Sequence, residues 1–328
     1  MSLFQKILSA VISARDLDEE PETDPYEKHK HENLREEVLQ ISLKIDKLPR
    51  NGKYRIVVCS GPNDGKSSLI NNILSALDGR LVQVAKYGDF DDHLTRKYTE
   101  YGMTIAQGAN HQETNFLLCD TAGSEKACDD HIAAVKGAFD VGADMNVGGK
   151  DASTETGSQE KNDARAKRGS SGTIDSSEEN KSNRRSALAI EEMGLKKESA
   201  VAILFVISAD KLNKSTINTS KIVETITPIY KFANTHGIPT AFFITKCDIK
   251  DDNVNKNIKV LYKSQSIQET RRCLHQACHG FPLNRIFPIV NYTHHMDVTP
   301  GMMLQTLYAM KHIMTDINDY LSKSKYRL

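Results

Sequence analysis

The residues at 54–59, Tyr-Arg-Ile-Val-Val-Cys, run directly into Ser60-Gly61-Pro62-Asn63-Asp64-Gly65-Lys66-Ser67-Ser68 and then into a helical pattern over 67–77. A short strand that is apolar on both faces needs cover on both faces. A glycine-bearing loop between strand and helix turns successive backbone N–H groups inward, and the helix adds the positive end of its dipole. Together these make an anion site, the layout of a phosphate-binding loop. In that layout Lys66 reaches the β- and γ-phosphates of a nucleotide, and the Ser67 hydroxyl binds Mg²⁺. Gly61, Asn63, Asp64, Gly65 and Ser68 complete the cradle. Two details depart from the usual pattern. Ser60 stands where the first glycine normally does, and Asp64 sets a carboxylate beside a phosphate site, so it must point away.

The rest of the chain continues the theme. Apolar runs at 114–119, 200–207, 239–245 and 285–290 read as strands, and 127–139, 217–236, 265–279 and 302–323 read as helices. Strands alternating with helices imply an α/β fold, a mostly parallel sheet with helices on both faces. Between about 141 and 198 this pattern stops. The segment is rich in serine, glycine and mixed charge and has too little apolar surface to offset the entropy of ordering, so it is expected to be a disordered insertion. It dilutes an overall hydrophobic share of 39%, which is low for a globular chain but too high for wholesale disorder.

Ahead of the strand–loop–helix, Leu34, Val38, Ile41, Ile45 and Leu48 step by four, three, four and three, a helix expected to pack on the main domain. Residues 2–14 carry a further apolar helical stripe, expected to dock on the protein, with membrane-surface attachment as the lesser alternative. An acidic linker follows at 16–24. The expected organisation is therefore a helix and linker over 1–25, a packing helix over 26–49, and the main domain over 50–328. Lys plus Arg and Asp plus Glu each number 43, and this neutral balance argues against a nucleic-acid binder drawn by bulk charge. The six cysteines are scattered and no secretory signal is evident, which points to reduced thiols and a cytoplasmic location.

Two more motifs stand at strand ends. Asp120-Thr121-Ala122-Gly123 follows TNFLLC. There Asp120 can hold Mg²⁺ through water, and the Gly123 N–H can bond a γ-phosphate. Thr245-Lys246-Cys247-Asp248 follows PTAFFI. The Asp248 carboxylate can accept from the ring N–H and exocyclic amine of guanine, a donor pair adenine lacks, while the Lys246 stem lies over the ring. The three motifs in this order resemble those of the translation-factor-like GTPase class. Thr95-Arg-Lys-Tyr98-Thr-Glu-Tyr101, the FLLCDTAG run, Asn291-Tyr292, and the tail with Met296-Asp-Val-Thr-Pro, LYAM and INDYL resemble the interferon-induced protein 44 family. That resemblance covers roughly 32–325 without the insertion. It implies a GTPase-like domain binding GTP or GDP with Mg²⁺, linked to immune or antiviral responses.

The resemblance also suggests Thr95 as the γ-phosphate and Mg²⁺ sensor, with Thr99 and Thr104 as competitors. Asn291 and Tyr292 fall where the last base-contact loop belongs, with backbone N–H groups near the guanine oxygen and a side chain stacking. Lys66, Thr95 and Gly123 are then the groups expected to act on the reaction. Ser124 stands where small GTPases carry a water-orienting glutamine, so slow hydrolysis, or turnover promoted by a homodimer through the G domain, is expected. A non-hydrolysing GTP-binding scaffold with an unknown protein partner is the alternative.

Overall fold

The computed structural model describes residues 24–48, 52–85, 98–121, 128–136, 199–212, 221–278, 281–292 and 297–324. The helix expected at 2–14, the insertion at 141–198 and all but the end of the acidic linker lie outside these residues. Six strands form one sheet in the order β2-β3-β1-β4-β5-β6. They are β1 (Tyr54–Ser60), β2 (Thr99–Gln107), β3 (Asn110–Asp120), β4 (Ala200–Ser208), β5 (Thr240–Thr245) and β6 (Ile286–Pro288). Every pairing is parallel except β2 with β3. The fold is thus the expected mostly parallel α/β sheet with helices.

Burial explains the strand sequences. All nine residues of β4 are buried, so AVAILFVIS has no polar face. The β2–β3 hairpin lies at the sheet edge, and its strands alternate between buried and partly exposed positions. No strand over 99–107 was expected, and Thr99 and Thr104 belong to it. Thr104 pairs with Glu113, partway along the hairpin from the strand end, whereas Thr99 pairs with Asp120. The alternation of Tyr101, Met103 and Ile105 was the available signal.

The described helices are α1 (Pro25–Lys28), α2 (His31–Asp46), α3 (Lys66–Asp78), α4 (Cys128–Val135), α5 (Lys221–Thr235), α6 (Cys247–Lys250), α7 (Asp252–Lys256), α8 (Gln265–Ala277) and α9 (Pro300–Ser324). Helix α9 packs on α2 and α3, while α4 packs on α5, β1 and β4. The buried face of α2 carries Leu34, Val38, Leu39, Ser42 and Ile45. Ile41 and Leu48 are only partly buried, so the seam expected through them is corrected to a 3.6-residue stripe. Arg35 fixes α2 by donating to the Ala76 carbonyl at 3.1 Å near the end of α3. The end of the acidic segment caps α1: the Asp24 carboxylate accepts from the Tyr26 N–H at 2.9 Å, and the Tyr26 hydroxyl donates to the Gly301 carbonyl at 3.2 Å.

Helix α9 also carries a titration site. Burial beside Phe287 and Tyr308, with Arg285 and Lys311 nearby, pushes the His312 imidazole down to about 4, against an opposing pull from Asp316. Burial pushes His29 down as well. A histidine in the unfolded chain titrates at about 6.5. The unfolded state therefore binds the extra proton between about pH 6.5 and 4, and stability falls as pH drops through that window. Thermal unfolding of His312→Gln should depend less on pH between 6.5 and 4.5 than that of the native protein. Equal slopes would contradict this assignment.

Candidate functional site

Five parallel strands end at one edge of the sheet, and the chain there supplies almost every polar group expected to matter. The loop after β1, the end of β3, the turn after β4 and the residues after β5 and β6 meet around the N-terminus of α3. In open α/β sheets this is where ligands bind, beyond the carboxyl ends of the strands. Asn63 and Gly65 are in the left-handed region, with φ of 59° and 82°. That twist brings Gly65 directly ahead of the first helical residue, Lys66.

The loop is held from three strands. The Thr245 hydroxyl at the end of β5 donates to the Asp64 carbonyl at 2.5 Å. The Asn291 side-chain amide, after β6, donates to the Gly65 carbonyl at 3.4 Å. Asn291 is itself steadied by Asn72 of α3, whose amide donates to the Asn291 side-chain oxygen at 3.1 Å. After β4, the Lys211 ammonium donates to the Pro62 carbonyl at 2.6 Å. A Cβ at Gly65 would lie 3.2 Å from the Thr245 hydroxyl oxygen and 3.3 Å from the Asn291 amide nitrogen. Gly65→Ala must therefore bear both a left-handed backbone, at roughly 1–2 kcal/mol, and pressure on two of the groups that hold the loop. Its thermal midpoint should fall by a few degrees even without ligand; an unchanged midpoint would contradict the packing described.

Asp64 behaves differently from the residues around it. Its carboxylate is completely buried and turned toward the turn after β4. There it accepts from the Ser208 N–H at 3.0 Å and pairs with Lys211 at 3.0 Å. Its second oxygen lies 2.7 Å from where a Cβ on Gly61 would be, which gives Gly61 a reason to be glycine. The Asp64 carboxylate therefore points inward, as its charge beside a phosphate site requires.

Across the loop, the Lys66 ammonium pairs with the Asp120 carboxylate, and both groups are buried. The Thr121 hydroxyl donates to the Val58 carbonyl at 2.6 Å, tying the end of β3 to β1. Two oxygen-bearing side chains expected to hold Mg²⁺ thus belong to neighbouring elements: Asp120 ends β3, and Ser67 lies in the first turn of α3. Ser68 is buried in that same turn and Asn63 is exposed.

After β5, Lys246 is also left-handed, with φ of 56°, and caps α6, whose first turn carries Asp248. Both side chains are partly exposed, at the same strand ends as the phosphate loop. Burial alone would raise the Asp210 carboxyl, but the hydrogen bond donated by the Ser208 hydroxyl and the nearby charge of Lys246 hold it below its ordinary range. Tyr292 is corrected: at 3% exposure its ring is part of the core, so it is not the ring that stacks on a base. Thr95, Gly123 and Ser124 lie outside the described residues. Lys211, Asp210, Ser208 and Asn72 were not anticipated; Lys211, Ser208 and Asn72 meet partners remote in sequence.

No protein-family model matches the chain. Solved structures similar to it include Toc33 from Arabidopsis thaliana in complex with GDP and Mg²⁺, at 10% identity over 86% of this chain and 92% of that one, with a TM-score of 0.43. A probable GTP-binding protein engB is also similar, at 15% identity over 82% of this chain and 99% of that one, with a TM-score of 0.37. Both likenesses are too remote to say what this chain binds.

Proposed function

We propose that the chain is a guanine-nucleotide-binding protein that hydrolyses GTP slowly with Mg²⁺. One observation carries this reading: the Gly65-Lys66-Ser67 loop, Asp120 and the Lys246–Asp248 turn converge at a single edge of a parallel sheet. Lys66 and the loop N–H groups bind the phosphates, and Asp248 selects the base. Asp120 and Ser67 offer hard oxygen donors, which suit Mg²⁺. Among the described residues no group of three or more His, Cys, Asp or Glu could hold a metal by itself. Ser67 and Asp120 would hold such a Mg²⁺ only in part, and phosphate oxygens and water would supply the rest, its usual preference. Thr95 and Gly123 sense the γ-phosphate in this reading.

Fluorescent GTP and ATP titrated with and without Mg²⁺ test it. Tighter binding of GTP, strengthened by Mg²⁺, is the expected result; equal affinity for the two bases would sink the role of Asp248. A non-hydrolysing scaffold is the second reading, favoured by Ser124 at the water-orienting position. Single-turnover hydrolysis at several protein concentrations separates the two: turnover rising with concentration indicates a dimerising GTPase, and none at any concentration a scaffold.

The likeness of Thr95–Tyr101, FLLCDTAG and the tail to the interferon-induced protein 44 family supports an immune or antiviral switch. Virus yield in cells with and without the chain tests that assignment. Among the described residues, the five cysteines Cys59, Cys119, Cys247, Cys273 and Cys278 are buried and free, which supports a cytoplasmic location.

A further inference from the structure

The feature that a nucleotide site accounts for least is the buried carboxylate inside its own phosphate loop. Asp64 is fully buried one residue before Gly65 and two before Lys66. A negative charge at that place opposes the charge of a di- or triphosphate, and low polarity around it lengthens the reach of the repulsion. The Lys66 ammonium, directed at Asp120, is not the partner that Asp64 uses.

We infer that Lys211 is a positioning residue for nucleotide binding: it neutralises Asp64 and clamps the phosphate loop in one contact. Its ammonium lies 3.0 Å from the Asp64 carboxylate and 2.6 Å from the Pro62 carbonyl, so one side chain grips the loop at two places. The Ser208 N–H, at 3.0 Å, secures the same Asp64 oxygen and fixes its direction. Lys211 belongs to the short turn Ala209–Lys211, which follows β4 directly. Asp210 in that turn accepts from the Ser208 hydroxyl and feels the charge of Lys246 ahead of that of Lys211. Burial holds the Asp64 carboxyl above its ordinary range, and Lys211 is the first among its neighbours to oppose this.

The inference rests on the nucleotide reading and adds a residue that acts on phosphate only through Asp64. Removing Lys211 leaves a buried charge without its cation, a costly state. That charge, no longer offset, then repels the phosphates held by the same loop. Its effect grows with phosphate charge, so GTP should suffer more than GDP.

The test measures GTP and GDP affinity for the full chain and for Lys211→Met, Asp64→Asn and the double variant, each checked for folding by thermal unfolding. Lys211→Met should weaken GTP binding about tenfold or more, and GDP binding less. Asp64→Asn in that background should restore GTP affinity to within about threefold of native, since asparagine keeps an acceptor for the Ser208 N–H without the charge. A purely mechanical role for the Pro62 contact would not be rescued in this way. If Lys211→Met alone fails to fold, the double variant is compared with Asp64→Asn, and a difference above about threefold overturns the inference. It is equally overturned if Lys211→Met binds GTP as the native chain does, or if Asp64→Asn brings no recovery. No nucleotide binding by the native chain would overturn the guanine-nucleotide reading, and this inference with it.

Discussion

Asp248→Asn is expected to lower GTP affinity by about a hundredfold or more and to raise affinity for xanthosine triphosphate. A carboxylate accepts two hydrogen bonds from the guanine edge, and each bond to a charged group contributes about 1.5–3 kcal/mol. An amide offers one acceptor and one donor. Its N–H₂ then faces the exocyclic amine of guanine, donor against donor, while the carbonyl of xanthine at that position can accept. The site favours a clean result. Lys246 is held in a left-handed turn that sets the start of α6, so Asp248 comes from a fixed backbone and not a mobile loop. Its side chain is partly exposed, so the substitution should leave the fold intact. Competition titrations with the two nucleotides read the switch. An unchanged preference for GTP would remove Asp248 from the base site.

Lys66→Ala should have the second large effect, and it should be visible in two separate measurements. With nucleotide, the loss of the ammonium removes a direct phosphate contact, and GTP affinity should fall by about a hundredfold or more. Without nucleotide, Lys66 pairs with Asp120, with side-chain exposures of 5% and 2%. Truncating one member of a buried pair leaves an uncompensated charge and costs about 3–5 kcal/mol. At roughly 2–4 °C per kcal/mol, the thermal midpoint of the ligand-free protein should fall by about 10 °C. Asp120→Asn combined with Lys66→Ala should recover much of that midpoint but none of the GTP affinity. Recovery of neither would mean that the pair does not stabilise the ligand-free protein. The pairing also implies an exchange on binding: Lys66 must share its protons between Asp120 and the arriving phosphate.

Local chemistry made most of the architecture legible. A largely apolar run of six to eight residues is poorly solvated, so YRIVVC, AVAILFVI and TAFFIT had to be interior strands, and they are. Helices between them had to cover the sheet. The edge hairpin was harder to see, because a strand with one wet face carries half the apolar signal, and Gly102 with an irregular register interrupts it. On α2, choosing between periods of 3.5 and 3.6 over four turns shifted the expected face from Leu39 and Ser42 to Ile41 and Leu48.

The site divides along the same line. Gly65, Lys66, Ser67, Asp120, Lys246 and Asp248 could be named from the sequence, because each sits at a strand end or helix start where backbone geometry alone dictates its task. Roles that depend on a distant partner could not. Lys211 meets Pro62 across 149 positions, and Asn72 meets Asn291 across 219. No periodicity records such pairs. The sequence could require only that the Asp64 carboxylate avoid the phosphates, since like charges repel. Folding decided where it goes, because the parallel register of β1 and β4 brings Ser208 and Lys211 beside the loop and makes an inward, paired carboxylate the low-energy arrangement.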